Sequence, residues 1–314
     1  MKASNTIFDI ANLVYHRKLR IEREINYALA SCYWQIGERI NHAKKRVPAS
    51  DWSGVLEQFC NLVETNCGAL LSATHLLEGQ KLNSVFPLVE KIDTALFVIP
   101  WPLLIKTARI RNEDARYLEY LLLYKFGLEQ FTQPNAPRSK LKIIGRRPPR
   151  SGNWFPEDDT FPFQLNAENL QQLKTLTHAS PLLQRKMSRI KGLSVAERVL
   201  YQSTLALLEF FSLEVNAVID GQFQKIEREI GAIILADHVK PLPHFCREVS
   251  RELEEVYNLK ISIKNLIEYA RDQKNPRKIT TQQSQYNESL DIFADLEKVH
   301  LLEAETFHQA ALLH

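Results

Sequence analysis

Apolar residues recur along the first forty positions at helical spacing. Val14, Ile21, Ile25, Ala28, Cys32, Ile36 and Ile40 fall at steps of three, four and seven. That spacing places them in one stripe of a single helix, predicted over Thr6–Lys45, with Arg and Glu on its other faces. Pro48 and the Ser50–Asp51 pair predict a stop and a new N-cap. A helix over Trp52–Glu64 follows, with Val55, Phe59, Leu62 and Val63 inward. Shorter helices are predicted over Gly68–Glu78 and Leu82–Leu96. Ile99-Pro-Trp-Pro then breaks the chain, because each proline disfavours a helical residue before it. A short helix over Leu103–Thr107 and a longer one over Glu113–Phe131 come next. Asn112 is the expected cap of the longer one, and Glu113 and Asp114 lie in its first turn, where the helix dipole favours acids.

The periodicity stops from Thr132 to Phe163, a stretch holding six of the 14 prolines. It reads as a linker, with one short extended piece at Lys140–Ile144. Helical spacing returns at Asn166–His178 and again after Ser180-Pro-Leu, to about Ile190. Ser194-x-x-Glu197 has the form of a capping box, in which the two side chains satisfy each other's backbone amides. The helix it opens passes through Leu207, Phe211, Val215, Val218, Phe223 and Ile226 to Ile234. Gly221 and Gly231 are candidate kinks, each costing about 1 kcal/mol relative to Ala. Pro241 and Pro243 close it. Helices over Phe245–Tyr257, Ser262–Asp272 and Gln282–Leu312 complete the pattern, with a polar break at Gln273–Thr281. The expected fold is all-α: a helical domain over 1–131, a Pro-rich basic linker over 132–165, and a helical bundle over 166–314.

Composition changes this picture little. A hydrophobic fraction of 45% is enough for a packed core, and only 10 glycines in 314 residues suit long helices with few turns. No apolar run is long enough to span a membrane, and the first nine residues lack the apolar core of a signal peptide, so a cytoplasmic protein is expected. The four cysteines, Cys32, Cys60, Cys67 and Cys246, form no C-x-x-C pair and read as small buried thiols. Net charge is only +3, so local clusters matter more than the total.

Two blocks carry a family resemblance. Arg23-Glu24-Ile25-Asn26, followed by Tyr33-Trp34-Gln35-Ile36-Gly37-Glu38-Arg39-Ile40, resembles the opening helix of the YhcG family N-terminal domain. Pro100-Trp101 and Leu104, then Ala115-Arg116-Tyr117, resemble that family's Pro-Trp step and the helix start behind it. The resemblance covers about residues 10–130. It implies a helical, winged-helix-like DNA-binding domain, of a kind usually fused to a restriction-endonuclease-like nuclease in bacterial genomes and mobile elements. The sequence departs from the family at the Gly-Phe-Ser-x-x-Asn-Leu segment, which here reads Asn66-Cys67-Gly68-Ala69-Leu70-Leu71-Ser72. It departs again after residue 166, where no strand pattern offers the acid pair and lysine that a Mg²⁺-dependent nuclease needs.

The chemistry on offer is therefore electrostatic. Arg138, Lys140, Lys142, Arg146, Arg147 and Arg150 lie in an acid-free run, and Trp154 follows them. Cations on an extended chain can track phosphates, and an aromatic ring can stack on a base. Lys44, Lys45 and Arg46 end the first helix and are candidates for the same role. The competing readings are a linker kept soluble by its charge and cations that complement a helix C-terminus. Asp237-His238 with His244-x-Cys246 is too loose for a zinc site, and His300 and His308 with Glu303 and Glu305 share one helix, so no metal or cofactor is expected.

No phosphate-cradling loop or nucleophile elbow is present, so no enzyme is expected. The leading expectation is a non-catalytic DNA-binding protein of a bacterial or mobile-element system, with genome or phage defence as its setting. Its partner is DNA, single strands included. The helical second half would form a homo-oligomer or recruit a partner nuclease or other protein, with Ile21–Ile40 and Leu205–Ile234 as helix–helix seams. The alternative is a protein-interaction scaffold without nucleic-acid binding, and a helical enzyme with an unrecognised site is a third reading.

Overall fold

A computed structural model describes residues 2–87, 99, 101–132, 163–238 and 241–272. The described residues are almost wholly helical and contain no strand. They form α1 (Lys2–Lys44), α2 (Trp52–Cys67), a 3-10 turn (Ala69–Leu71), α3 (Ala73–Val85), α4 (Trp101–Ala108), α5 (Glu113–Thr132), α6 (Ala167–Thr177), α7 (Ala179–Met187), α8 (Val195–Asp237), α9 (Leu242–Tyr257) and α10 (Ile263–Asp272). The expected linker, its extended piece, most of the helix expected over Leu82–Leu96 and the helix expected over Gln282–Leu312 lie outside the described residues.

The caps explain most helix boundaries. Asn112 accepts from the Ala115 amide at 2.8 Å, Asn166 from Asn169 at 2.8 Å and Ser262 from Asn265 at 3.1 Å. The capping box at α8 is complete. The Ser194 amide donates to the Glu197 carboxylate at 2.7 Å, and the Glu197 amide donates to the Ser194 hydroxyl at 3.3 Å. The helix it opens runs unbroken past Gly221 and Gly231 to Asp237.

Four helix ends differ from the pattern. The helix expected over Gly68–Glu78 is divided, because Gly68 leaves the helical region at φ +80° and Ser72 is extended. Ser72 caps a new helix that continues to Val85, its hydroxyl accepting from the His75 amide. Asp51 stands before α2 but does not cap it. Its carboxylate instead accepts from the Ser50 hydroxyl at 2.8 Å. Finally, α4 and α9 begin at Trp101 and Leu242, earlier than expected, because Pro102 and Pro243 sit in first turns, where a missing amide costs nothing.

The described residues group into two compact units that interleave along the chain. The first draws on Met1–Glu22, Gln164–Gln171 and Asn216–His314; the second on Arg23–Phe163 and Gln172–Val215. Long α1 and α8 therefore contribute one segment to each unit.

In the first unit, the early turns of α1 bury Ile7, Ile10, Val14 and Ile21, and the late turns of α8 bury Ile219, Phe223, Ile226, Ile230 and Ile234. Thr6 donates to Asp237 at 2.9 Å, and Arg17 pairs with Glu229, so the two segments run in opposite directions. Lys18 is buried beside Glu22, whose carboxylate also accepts the Leu165 amide at 2.7 Å. Helices α9 and α10 pack together through Phe245, Val249 and Leu253 on one and Leu266 and Ala270 on the other. Asn258 ends α9 in the left-handed region, an αL stop that suits Asn.

In the second unit, the apolar stripe of α1 is covered by the chain's own elements, with Ile25, Ala28, Leu29, Tyr33, Ile36 and Ile40 all buried. The closest approach is between α1 and α3. A methyl group on Gly37 would collide with the backbone carbonyl of Gly79, and one on Gly79 would collide with the Tyr33 carbonyl. Only glycine lets two helix backbones come this near. The first turns of α8 bury Tyr201, Leu208 and Phe211 but leave Val195, Val199, Phe210 and Leu213 exposed.

Candidate nucleic-acid interface

The first motif block and Trp101 of the second come together in the second unit, whereas Ala115 and Tyr117 of the second block are exposed. Asn26 is buried and clamps the Phe163 backbone from both sides, accepting from its amide at 2.9 Å and donating to its carbonyl at 2.7 Å. The Tyr33 hydroxyl donates to the Leu70 carbonyl, and the Trp34 indole donates to the Phe86 carbonyl at 3.0 Å. Tyr33 stacks flat on His75, with ring centres 4.8 Å apart, and meets Trp101 edge-on at 5.1 Å. Trp101 donates to Glu78 at 3.1 Å, and Arg109 donates to the other oxygen of the same carboxylate at 3.2 Å. One acid on α3 thus ties down both ends of α4. Apart from the exposed Arg109, these residues are internal and hold the helices in place.

Burial sets the ionisation of this core. Desolvation holds the His75 imidazole below its ordinary pKa, against the opposing fields of Glu78 and Glu64 and a hydrogen bond to the Ala69 carbonyl. It pushes Tyr33 well above the phenol range. All four cysteines are buried free thiols. Burial raises Cys60 and Cys246 to about 11 and Cys67 to about 12, and it raises Cys32 further still. Thiols this high carry almost no thiolate at neutral pH, so none is an activated nucleophile.

The surface charges lie elsewhere. Lys44, Lys45 and Arg46 are exposed where α1 ends, and the Arg46 amide closes the last turn on Ala43 at 2.9 Å. One turn earlier, Asn41 fixes the end of α1 to the end of α3, donating to the Gln80 carbonyl at 3.1 Å and to Asn83 and Ser84 at 3.0 Å. With Tyr33 at His75, Gly37 at Gly79 and Asn41 at Asn83, the two helices run in the same direction. The cations therefore sit at the C-terminal end of α3. The exposed face of α3 carries Thr74, Leu77 and Lys81.

The segment Asn66–Ser72, where the sequence departs from the family pattern, contributes to the core. Cys67, Leu70 and Leu71 are buried, and only Ser72 leads into α3. Of the basic residues expected in the linker, Arg138, Lys140, Lys142, Arg146, Arg147 and Arg150 lie outside the described residues, as does Trp154. His300 and His308 lie outside them too. Among the loose ligand set around α9, Asp237 accepts from Thr6, His238 contacts the Leu235 carbonyl at 3.0 Å and His244 faces Glu248 at 3.5 Å. Among the described residues no group of three or more His, Cys, Asp or Glu is placed to hold a metal ion.

Sequence reasoning passed over a second basic cluster. Arg185, Lys186, Arg189 and Lys191 are all exposed around the end of α7, and no acid occurs from Ala179 to Ala196. The absence of acids was the available signal, masked by Met187 and Ile190, which made the stretch read as one more amphipathic helix.

Residues 9–125 match the family model of the DUF1016 N-terminal domain, the family of the YhcG resemblance. No curated protein and no solved structure is detectably similar to the chain. Among the described residues no helix is long and apolar enough to cross a membrane.

Proposed function

We propose that this chain binds DNA without acting on it chemically, in a bacterial or mobile-element system such as genome defence. The observation that carries the reading is the placement of Lys44, Lys45 and Arg46. They are exposed, and the Asn41 hydrogen bonds hold them at the end of α3, whose outer face adds Lys81. The family match over residues 9–125 supports it, because domains of this family accompany nucleases. On this reading the cations contact phosphates and release counterions. The basic stretch from Arg138 to Arg150 extends the contact, and the helices beyond it recruit a partner protein or a second copy. Fluorescence anisotropy with duplex and single-stranded oligonucleotides across a salt series tests it. Replacing Lys44, Lys45 and Arg46 together by Ala should weaken binding and flatten its salt dependence by roughly two to three units of logarithmic slope. Unchanged affinity and slope would count against the interface.

A second reading, a protein-interaction scaffold, is favoured by two observations. The segment Asn66–Ser72 packs inward, and α8 exposes Val195, Val199, Phe210 and Leu213. Large apolar side chains left exposed along one helix are a common mark of protein contact. The same titration separates the readings: a scaffold leaves every oligonucleotide unbound at moderate salt.

A further inference from the structure

We infer that the turn from α7 into α8 is a second nucleic-acid contact, lying beyond the matched family domain, in which a backbone phosphate seats in a cavity floored by Tyr201. It takes its ligand class from the DNA-binding reading, but its residues are independent of Lys44–Arg46. Three observations meet here. Arg185, Lys186, Arg189 and Lys191 are exposed within seven residues, and their side chains form no ion pair among the described residues. The same turn borders a cavity of about 340 Å³, lined among others by Ser188, Gly192, Arg198, Tyr201 and Gln202; Arg198 is its cationic wall, and the four exposed cations flank it without lining it. That volume is within the usual range for a small-ligand site. The third observation is an orphaned polar group. Tyr201 is only 1% exposed, packs against Phe59 with ring centres 5.4 Å apart, and its hydroxyl has no hydrogen-bond partner. Buried hydroxyls are nearly always satisfied, so an unpaired one in a cavity wall marks a place for a ligand or water.

The charge decides the class of ligand. Arg198 lines the cavity and spends one donor on the Leu193 carbonyl at 3.2 Å, leaving the rest of its guanidinium for an anion. The first turn of α8 is already capped by Glu197, whose carboxylate accepts the Ser194 amide at 2.7 Å, so the attraction for an anion comes from the cations. Arg198 and one hydrogen-bond donor would satisfy a single phosphate. Four further exposed cations exceed what one phosphate needs and suit the repeating charge of a strand. Ser188 and Gly192, with Gly192 at φ +80°, keep the cavity wall small and turn the chain sharply between the cations.

The test compares the intact chain with three variants: Arg185→Ala/Lys186→Ala/Arg189→Ala/Lys191→Ala, Lys44→Ala/Lys45→Ala/Arg46→Ala, and Tyr201→Phe. Each is titrated with labelled single- and double-stranded 30-mers across a salt series, with inorganic phosphate alone and with vesicles of anionic lipid. The quadruple variant should lose roughly tenfold or more in affinity for oligonucleotides, with a slope shallower by about three units. Tyr201→Phe keeps the ring against Phe59, so it should fold normally, bind several-fold more weakly and retain the parent slope. If the quadruple variant binds like the intact chain while the Lys44–Arg46 variant does not, this contact is overturned and the first interface stands. If only vesicle binding depends on the four cations, the surface serves a membrane and the proposal fails. Tyr201→Phe binding as tightly as the parent overturns the seating of a phosphate in the cavity. An intact chain that binds no oligonucleotide overturns both readings.

Discussion

Gly37 on α1 and Gly79 on α3 touch backbone to backbone, in the middle of a parallel helix pair held by Tyr33 on one side and Asn41 on the other. The contact leaves no room for a side chain on either partner. Gly79→Ala drives a methyl group into the Tyr33 carbonyl, and rigid backbone cannot yield to it. A loss of about 3 kcal/mol or more is expected, at the upper end for overpacking. Gly221→Ala is the control, because nothing lies within 4 Å of that position. It should be neutral or stabilising by up to about 1 kcal/mol. Denaturant unfolding of the two variants checks this, and equal midpoints would contradict the close contact.

Asn26 supplies both a donor and an acceptor to the Phe163 backbone in a buried site. Asn26→Ala leaves that amide and carbonyl unpaired, at about 1–3 kcal/mol each. Asn26→Asp keeps the acceptor but loses the donor and adds a buried charge. Both should unfold at lower denaturant, with the aspartate variant recovering as pH falls and its carboxyl gains a proton. A melting temperature for Asn26→Asp that is flat with pH would rule out this account.

His75 gives the fold an acid limit. Its folded pKa lies below the ordinary value of 6.5 because burial disfavours the imidazolium. The unfolded chain therefore binds the proton more readily. The stability that His75 contributes is full above about pH 6.5 and is lost as pH falls through the lower, folded value. His75→Gln should have a flatter stability profile from pH 7 to pH 5 than the parent. If both proteins lose stability equally over that range, His75 is not the cause.

The buried thiols should stay silent until the chain opens. With Cys60 and Cys246 at about 11 and Cys67 at about 12, an alkylating reagent at pH 8 should label none of them appreciably in the native protein. Labelling should rise together with unfolding in a denaturant series and reach four sites. Rapid native labelling of any one thiol would place it at the surface.

The helices were legible in the sequence wherever a periodic stripe met a capping residue. The stripe from Val14 to Ile40, the Asn112 cap and the Ser194–Glu197 box all appear in the fold as their local chemistry requires. Boundaries were lost where one local signal outweighed another: the short stop at Ser72 hides inside an apolar run, and Pro102 and Pro243 are permitted in a first turn. The motif around Tyr33–Ile40 was visible as a pattern, but its meaning was not. Tyr33 acts on Leu70 and His75, and Gly37 acts on Gly79, about forty residues away, so neither partner is identifiable from spacing. The same holds for the surface. Lys44–Arg46 is an unbroken run and is conspicuous. Arg185–Lys191 is interrupted by Met187, Ser188 and Ile190, and only the fold shows that all four cations face outward.

The pairing of Thr6 with Asp237 spans 231 positions of chain, and it dictates an order of events on the ribosome. The first turns of α1 are made 212 to 231 positions before the segment of α8 that pairs with them. At about 5–20 residues per second, those turns wait on the order of ten to fifty seconds for their cover. Throughout that interval the apolar stripe of α1 stands bare, the kind of exposed hydrophobic surface that makes an incomplete chain prone to aggregate.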